Sequence, residues 1–160
     1  MTFADKTVWI TGASSGIGEA LAKAFAEAGA HIILSGRRTD ALEQVAADIA
    51  TDTLILPFET TDYAALPTKV EEARSWKGKV DILVNNAGIS QRSLALDTHP
   101  EVHSTIINVD LLAPIWLTQL LLPHMIAAGG GHIVGISSVA GRVGVPLRTA
   151  YCAAKHGLIG

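Results

Sequence analysis

Short apolar segments alternate with longer segments of helical pattern along the 160-residue chain, and this alternation limits the possible folds more than any other feature. Five segments have the length and composition of strands: Thr7–Thr11, Ile32–Ser35, Thr53–Pro57, Val80–Val84 and His132–Ile136. Strands that alternate with helices are typical of a parallel sheet with helices on both faces. The sequence therefore predicts an α/β fold with a doubly wound parallel sheet, in which residues 1–160 form one domain.

Helical patterns fill the intervals between these strands, and the last one still continues at Gly160. Pro114 cannot donate a hydrogen bond to the carbonyl of Asp110, so the longest helix is expected to bend there. Its stretch from Ile106 to Ile126 is apolar on more than one face, which predicts burial on more than one side and a homodimer or homotetramer. The helices are predicted at Ile17–Ala28, at Asp40–Ile49 with Thr39 as a cap, at Tyr63–Trp76, and from Pro100 to about Ala128.

Composition and charge argue against several classes of partner. The net charge of −3 gives no electrostatic reason to expect nucleic acid or an acidic membrane. The longest apolar stretch, Leu111 to Ile126, is interrupted by Pro114 and Pro123, so no membrane-spanning segment is expected. The single cysteine, Cys152, cannot form an internal disulfide, which fits a reducing, cytoplasmic setting. The histidines have no metal-ligand spacing with one another or with this cysteine, so no metal site is predicted.

A glycine-rich turn joins the first strand to the first helix, which is the context that a dinucleotide site requires. Gly12 permits a tight turn, Gly16 allows the backbone to approach a pyrophosphate, and Gly18 allows the helix to pack closely. The exposed amides at the start of the helix would then bind phosphate. The spacing is G-xxx-G-x-G, which differs from the commonest dinucleotide fingerprint.

Arg37 and Arg38 stand about 20 residues beyond the glycine turn, where a carboxylate usually binds the ribose 2′-hydroxyl of NAD. Arginine binds phosphate through a forked pair of hydrogen bonds. The pair therefore favours a site for the 2′-phosphate of NADP(H), with NAD(H) as the alternative cofactor. The other interpretation is a solvated charge pair on the surface.

Tyr151 and Lys155 are four residues apart, which places their side chains one turn apart on the same face of a helix. A free phenol has a pKa near ~10, and a neighbouring cation favours its ionised form. The pair can therefore exchange protons, although an ordinary surface helix can carry the same two residues. Ser138 follows the fifth strand, where a hydroxyl faces the ligand crevice of an open α/β sheet. The amides in Asn85–Gly88 can tie strands together, line a pocket wall or mark a turn.

Taken in order along nearly the whole chain, these motifs resemble the short-chain dehydrogenase/reductase family. Thr11–Gly18 is similar to its cofactor motif and Asn85–Gly88 to its strand-four motif, while Ser138, Tyr151 and Lys155 are similar to its catalytic set. The resemblance implies that Asn108 joins these three as a catalytic residue, and that Glu59 stands where the family usually carries an aspartate near the adenine. The cofactor-binding residues that it implies are Gly12, Ser14, Ser15, Gly16, Ile17, Gly18, Arg37, Arg38, Glu59, Asn85, Ala87, Gly88, Tyr151 and Lys155.

The resemblance also implies a mechanism, in which NADPH delivers a hydride to a carbonyl carbon and Tyr151 protonates the oxygen. Lys155 would assist the phenol and hold the nicotinamide ribose, Ser138 would bind the reacting oxygen, and Asn108 would hold a water that relays protons. Gly88–Ser93, Leu122–Met125 and Tyr151–His156 are in addition similar to the member-7 group of the family. The Rossmann fold of this family implies further C-terminal strands and a native chain of roughly 240–270 residues.

Two other functions stay open at this point. A catalytically silent NADP-binding module could act as a sensor or scaffold, although such a module need not keep all four catalytic residues. A different Rossmann enzyme, such as a methyltransferase, has no use for a tyrosine–lysine pair after the fifth strand. The residues expected to face a small carbonyl or alcohol substrate lie in Ser90–Leu94 and Val139–Leu147.

Overall fold

A five-stranded parallel sheet forms the centre of the computed structural model, which describes residues 2–160. Its strands are β1 (Thr7–Thr11), β2 (His31–Ser35), β3 (Thr53–Ile55), β4 (Ile82–Asn85) and β5 (His132–Gly135). Their order across the sheet is β3-β2-β1-β4-β5. The predicted doubly wound sheet is confirmed, and its order reverses direction between β1 and β4. In such sheets the ligand crevice opens at the carboxyl ends of the two strands that flank this reversal.

The helices lie close to their predicted positions, with differences at several ends. Their bounds are α1 (Gly16–Glu27), α2 (Thr39–Ala47), α3 (Leu66–Trp76), α4 (Pro100–Ile107), α5 (Ala113–Ala127) and α6 (Thr149–Ile159). The prediction that Thr39 caps α2 is wrong, because Thr39 is already helical and Arg38 precedes it without a side-chain cap. α3 begins at Leu66 instead of Tyr63. Pro67 then lies in its first turn, where the missing N–H has no helical partner to lose.

The sheet is covered on both faces, and successive residues of a strand alternate between them. Val8 and Ile10 of β1 pack in a cluster with buried residues of α1 and α2. Trp9, between them, packs in a second cluster with buried residues of α3 and α5. Each large side chain buried in this way contributes about 1.5–3 kcal/mol. This two-sided burial accounts for the nearly continuous apolar sequence of β1, β2 and β4.

One π-helical turn, Asn108–Leu112, joins α4 to α5. The hydrogen bond of this turn spans five residues, since the N–H of Ala113 donates to the carbonyl of Asn108. Pro114 is the second residue of α5, so the expected disturbance near this proline takes the form of an inserted π turn. The expectation that prolines interrupt the apolar stretch is wrong. Helical structure is continuous over Pro100–Ala127, and by length and composition alone this segment could cross a membrane.

The two faces of α5 have different surroundings. Leu117, Leu121 and Met125 are buried against the sheet, as predicted for one side of this helix. The opposite face remains exposed in the single chain and carries Ile115, Trp116, Leu122 and Ile126. β5 forms one edge of the sheet, and all four of its residues are exposed.

We expect Gly18→Ala to destabilise the protein because α1 packs too closely on the glycine turn to admit a methyl group. A Cβ at Gly18 would lie 2.3 Å from the carbonyl oxygen of Gly12 and 2.6 Å from Nδ2 of Asn86. Overpacking of this kind costs about 1–3 kcal/mol, which thermal unfolding of the full-length protein would measure as a lower Tm. Gly144→Ala is the matched control, since a Cβ there would meet nothing within 4 Å. Equal Tm values for the two variants would contradict the prediction.

Candidate active site

A cleft of about 510 Å³ opens at the carboxyl ends of β1, β2 and β4. This volume lies within the range of small-molecule and cofactor sites, about 300–1,000 Å³. Nine of the residues predicted to bind a cofactor line it: Gly12, Ser14, Ser15, Ile17, Arg37, Arg38, Glu59, Ala87 and Gly88. The topology therefore brings the glycine turn, the two arginines and the segment after β4 to one cavity, although they are far apart in the sequence.

The glycine turn lies directly against the chain that leaves β4. Gly12 has φ +65°, and a Cβ at this position would lie 2.8 Å from the Cα of Ala87. Only glycine fits such a left-handed position this close to another backbone. Gly16 also has a positive φ, and the space where its Cβ would be is open. The exposed start of α1 therefore has no side chain between its backbone and the cleft at this position.

Hydrogen bonds from Asn86 and Thr11 join the exits of β4 and β1. The Asn86 Nδ2 donates to the carbonyls of Thr11, at 2.9 Å, and Gly12, at 3.1 Å. The Thr11 hydroxyl accepts from the backbone N–H groups of Asn86 and Ala87. Asn86 therefore has two of the roles predicted for the amides: it ties β1 to β4, and it lines the cleft. Asn85 points away, and its Nδ2 donates to the Thr118 hydroxyl of α5 at 3.0 Å.

The two arginines after β2 have different partners. Arg37 Nη1 lies 3.6 Å from Glu59 Oε2, so part of its charge is already balanced. Arg38 Nη2 donates to the Ser14 hydroxyl of the glycine turn at 3.3 Å. Both guanidinium groups are exposed to solvent at the cleft. Arg38 and Ser14 thus form a pair of donors that an anion beside the glycine turn can engage.

Tyr151 and Lys155 lie together on α6, as their spacing predicts. The Lys155 Nζ is 5.6 Å from the centroid of the Tyr151 ring, and it donates to the carbonyl of Ile136 at 3.1 Å. Lys155 is buried whereas Tyr151 is half-buried. Ser138 lies just after β5, and its hydroxyl accepts from the N–H of Ala140 at 3.2 Å. Asn108 is the first residue of the π turn.

Asp110 is a residue of the site that the motifs of the sequence did not predict. This aspartate of the π turn has no exposed surface, and its Oδ2 lies 3.3 Å from the Lys155 Nζ. Burial raises the pKa of the Asp110 carboxyl, against the opposing effects of the Ile89 N–H and the Lys155 ammonium. One sequence feature could have identified it: Asp110 is an isolated acid in the apolar stretch from Ile106 to Ile126. An acid in such a stretch is rarely buried without a partner.

Two further residues hold the start of α6. In the amide orientation that satisfies both polar atoms of the buried Gln91, its oxygen accepts from the N–H groups of Thr149 and Ala150, both at 3.0 Å. These N–H groups belong to the first turn of the helix, so they have no hydrogen-bond partner within it. Arg148 Nη1 donates to the Ser90 hydroxyl at 2.7 Å, and its guanidinium lies 5.7 Å from the centroid of the Tyr151 ring. The segment after β4 therefore positions the helix that carries Tyr151.

Among residues 2–160, no group of three or more His, Cys, Asp or Glu side chains is arranged to hold a metal ion. The candidate site has two parts. The glycine turn and the two arginines line the cleft, where an elongated phosphate-bearing ligand can bind. Tyr151, Lys155, Ser138 and Asn108 are not among the residues that line it, and Asp110 connects the two parts through its contacts with Ile89 of the lining and with Lys155.

Comparison with known proteins agrees with this arrangement. The chain is 42% identical over 163 residues to human dehydrogenase/reductase SDR family member 7, a match that covers 98% of this chain and 48% of the human protein. It is 44% identical over 161 residues to the dehydrogenase/reductase SDR family protein 7-like of Anopheles gambiae, covering 96% and 51% of the two chains. The chain thus spans about half the length of these curated relatives.

A solved structure of a related protein has the same fold. The chain superposes with a TM-score of 0.95 and 32% identity on a metagenomic short-chain oxidoreductase crystallised in complex with NADP, covering 100% of this chain and 74% of the other. The profile of the short chain dehydrogenase family matches residues 6–160. The protein therefore belongs to the short-chain dehydrogenase/reductase family and is similar to its member-7 proteins.

Proposed function

We propose that the protein is an NADP(H)-dependent oxidoreductase that interconverts a carbonyl and a secondary alcohol. The observation that carries the proposal is Tyr151 on α6, half-buried, with the Lys155 ammonium 5.6 Å from its ring centroid. A cofactor in the cleft would supply or accept the hydride. The chain supplies binding, orientation and proton transfer.

The residues of the cleft fit a dinucleotide. The missing side chain at Gly12 brings the backbone of the turn close to Ala87, and the amides at the start of α1 favour phosphate. Arg38 and Ser14 together would hold a 2′-phosphate, since both already present donors beside the turn. Glu59 balances part of the Arg37 charge, so Arg37 would attract a phosphate less strongly than Arg38.

Tyr151 would act as the general acid for reduction and as the general base for oxidation. Lys155, whose ammonium lies 5.6 Å from the centroid of this ring, would hold the nicotinamide ribose. The Ser138 hydroxyl would donate to the reacting oxygen where negative charge develops. The role that the resemblance gives to Asn108, which is to hold a water beside Lys155, stays a prediction, because the side chain of the π turn that reaches the Lys155 Nζ is that of Asp110, at 3.3 Å.

We expect Tyr151→Phe to reduce kcat by at least about 10²-fold, because it removes the proton donor and keeps the ring. Stopped-flow or steady-state oxidation of NADPH with a panel of ketones and aldehydes would measure the loss. Binding of NADPH, followed by fluorescence, should persist because the phenylalanine ring keeps the packing of the tyrosine ring.

Tyr63→Phe is the matched control, since Tyr63 is the chain's other tyrosine and lies against Trp116, at 6.1 Å between ring centroids. This variant should retain the kcat of the unmodified protein. Tyr151→Phe with most of that kcat would show that Tyr151 is not the acid. An unmodified protein that binds NADPH but turns over no substrate in the panel would favour a silent binding module.

We expect Arg38→Asp to weaken NADPH binding by about tenfold or more and to leave NADH binding nearly unchanged. The loss of one charge-assisted hydrogen bond costs about 1.5–3 kcal/mol, and about 1.4 kcal/mol corresponds to tenfold. Titration of each cofactor by fluorescence gives the two Kd values. Arg74→Asp makes the same change of charge on α3, outside the cleft, and should affect neither. Equal weakening of NADPH and NADH by Arg38→Asp would contradict a 2′-phosphate site.

We also propose a homodimer or homotetramer in a reducing, cytoplasmic environment. The exposed apolar face of α5, with Trp116 at 45% exposed, is the surface that a second copy would cover. Light scattering on the full-length protein at micromolar concentration should give a mass of two or four chains. A monomer under these conditions would contradict the assembly.

A further inference from the structure

Arg148 directly precedes α6, and its side chain lies next to the phenol to which the proposed function assigns proton transfer. The guanidinium carbon is 5.7 Å from the centroid of the Tyr151 ring. The residue is half-buried, and its Nη1 donates to the Ser90 hydroxyl at 2.7 Å. A carbonyl substrate has to lie against Tyr151 in order to receive its proton, so that substrate also lies close to this cation.

The charge of Arg148 has no counter-ion in the part of the chain that the structure describes. Arg74, by contrast, forms an ion pair with Glu71 on α3. The side-chain partner of Arg148 is a hydroxyl, which leaves the positive charge unbalanced. A guanidinium has five N–H donors in a planar fork, and this bond uses one of them. A half-buried cation with further donors is suited to an anion, which it can bind through two parallel hydrogen bonds.

The backbone in front of Arg148 has an unusual conformation. Leu147 has φ +67°, in the left-handed region that residues other than glycine rarely adopt. Its carbonyl accepts from the Ser93 N–H at 3.1 Å, and the Arg148 carbonyl accepts from the Cys152 N–H of α6 at 2.8 Å. Strain of this kind persists only where the surrounding structure imposes it, and it is concentrated at active sites and ligand-binding segments. Contacts on both sides therefore fix the position from which the Arg148 side chain reaches Tyr151.

Positive charge predominates in the surroundings predicted for the substrate. The segments expected to face it, Ser90–Leu94 and Val139–Leu147, together with Arg148 contain three arginines and no acid. Arg92 and Arg142 are exposed. Charges of one sign around a site raise the local concentration of ligands of the opposite sign. Arg148 differs from the other two arginines because it is half-buried and lies against the reacting phenol.

We propose that Arg148 binds an anionic group of the substrate, so that the enzyme acts on carbonyl compounds that carry a carboxylate or a phosphate. The assignment rests on the proposed function for the reaction, whereas binding of the anion depends on Arg148 itself. The hydrogen bond to Ser90 holds the guanidinium in place. The substrate would then be fixed at two points, with its carbonyl at Tyr151 and its anionic group at Arg148, which orients the carbonyl for reaction.

Levulinate and methyl levulinate test this proposal with the full-length protein and NADPH. Both contain the same ketone, and only levulinate is charged. The unmodified protein should have the higher kcat/KM for levulinate. Arg148→Gln should lower that value by about tenfold or more, because a charge-assisted hydrogen bond is lost, and should change the value for the ester by less than about twofold. Since the same two compounds are used throughout, differences in their intrinsic reactivity cancel when the variants are compared.

Hydroxyacetone phosphate and hydroxyacetone make the same comparison for a phosphate. A preference for the charged compound that depends on Arg148 in one pair only would identify the group as a carboxylate or as a phosphate. If Arg148→Gln lowers kcat/KM equally for the charged and the neutral member of both pairs, Arg148 only holds α6 in place and the proposal is wrong. An unmodified protein that prefers the neutral member of both pairs would also overturn it.

Two further variants separate the charge of Arg148 from its packing. Arg148→Lys keeps the charge and loses the forked geometry, so it should keep a preference for the charged substrate. Arg74→Gln is the matched control, because it removes an arginine of α3 that lies outside the cleft. It should leave kcat/KM unchanged for all four compounds. A loss of the preference in Arg74→Gln as large as that in Arg148→Gln would contradict a specific site.

A second measurement needs no turnover. Levulinate and hydroxyacetone phosphate are titrated by calorimetry into the full-length protein with NADP⁺, which cannot reduce a ketone. Arg148→Gln should weaken the binding of at least one of them by about tenfold or more. This result in a protein that reduces none of the four compounds would refute the proposed function and support the anion site. Absence of binding, or Kd values that Arg148→Gln leaves unchanged, would overturn the anion site, and reduction of the neutral ketones by the same protein would still support the proposed function.

Discussion

The close contact between the exits of β1 and β4 is the constraint on which the rest of the site depends. At this contact a left-handed Gly12 lies against the backbone of Ala87, and Asn86 is bonded to the two carbonyls that end β1. The sheet order reverses at the same place, so helices leave to both sides and a cleft remains between them. The position of the glycine turn, and hence the direction of the α1 amides, follows from hydrogen bonds that neither strand could make alone.

A second set of contacts sets the charge inside the site. Lys155 is buried on α6, and its polar neighbours are the carbonyl of Ile136, the residue after β5, and Asp110 of the π turn. Gln91 and Arg148 fix the first turn of the same helix. Four separate parts of the chain therefore determine where one ammonium and one phenol lie. These contacts hold the two side chains in a fixed relative position.

Much of this arrangement could be predicted from the sequence. The alternation of strands and helices predicts the sheet because both faces are buried, and the glycine turn is visible from its flanking elements. The period of two along β4 also separates the two amides, since Val84 and Asn86 face the α1 side whereas Leu83 and Asn85 face α5. Asp110 could not be assigned a partner in this way, because its ion pair depends on how α6 packs on the π turn, which no local pattern encodes. The start of α3 was placed too early because residues 61–65 form turns instead of helix.

The π turn also sets the rotational phase between the two halves of one continuous helix. Each residue added to or removed from an α-helix rotates the remainder of the helix by about 100°. The residues before the turn face α6, through Ile106, whereas those after it face the sheet, through Leu117 and Leu121. The π turn, in which the Ala113 N–H bonds to Asn108 five residues earlier, contains one residue more than an α-helical turn. Removal of one residue within Asn108–Leu112 would therefore leave an ordinary α-helical turn, whereas removal of one residue from α4 or α5 themselves would rotate one of these two faces away from its partner.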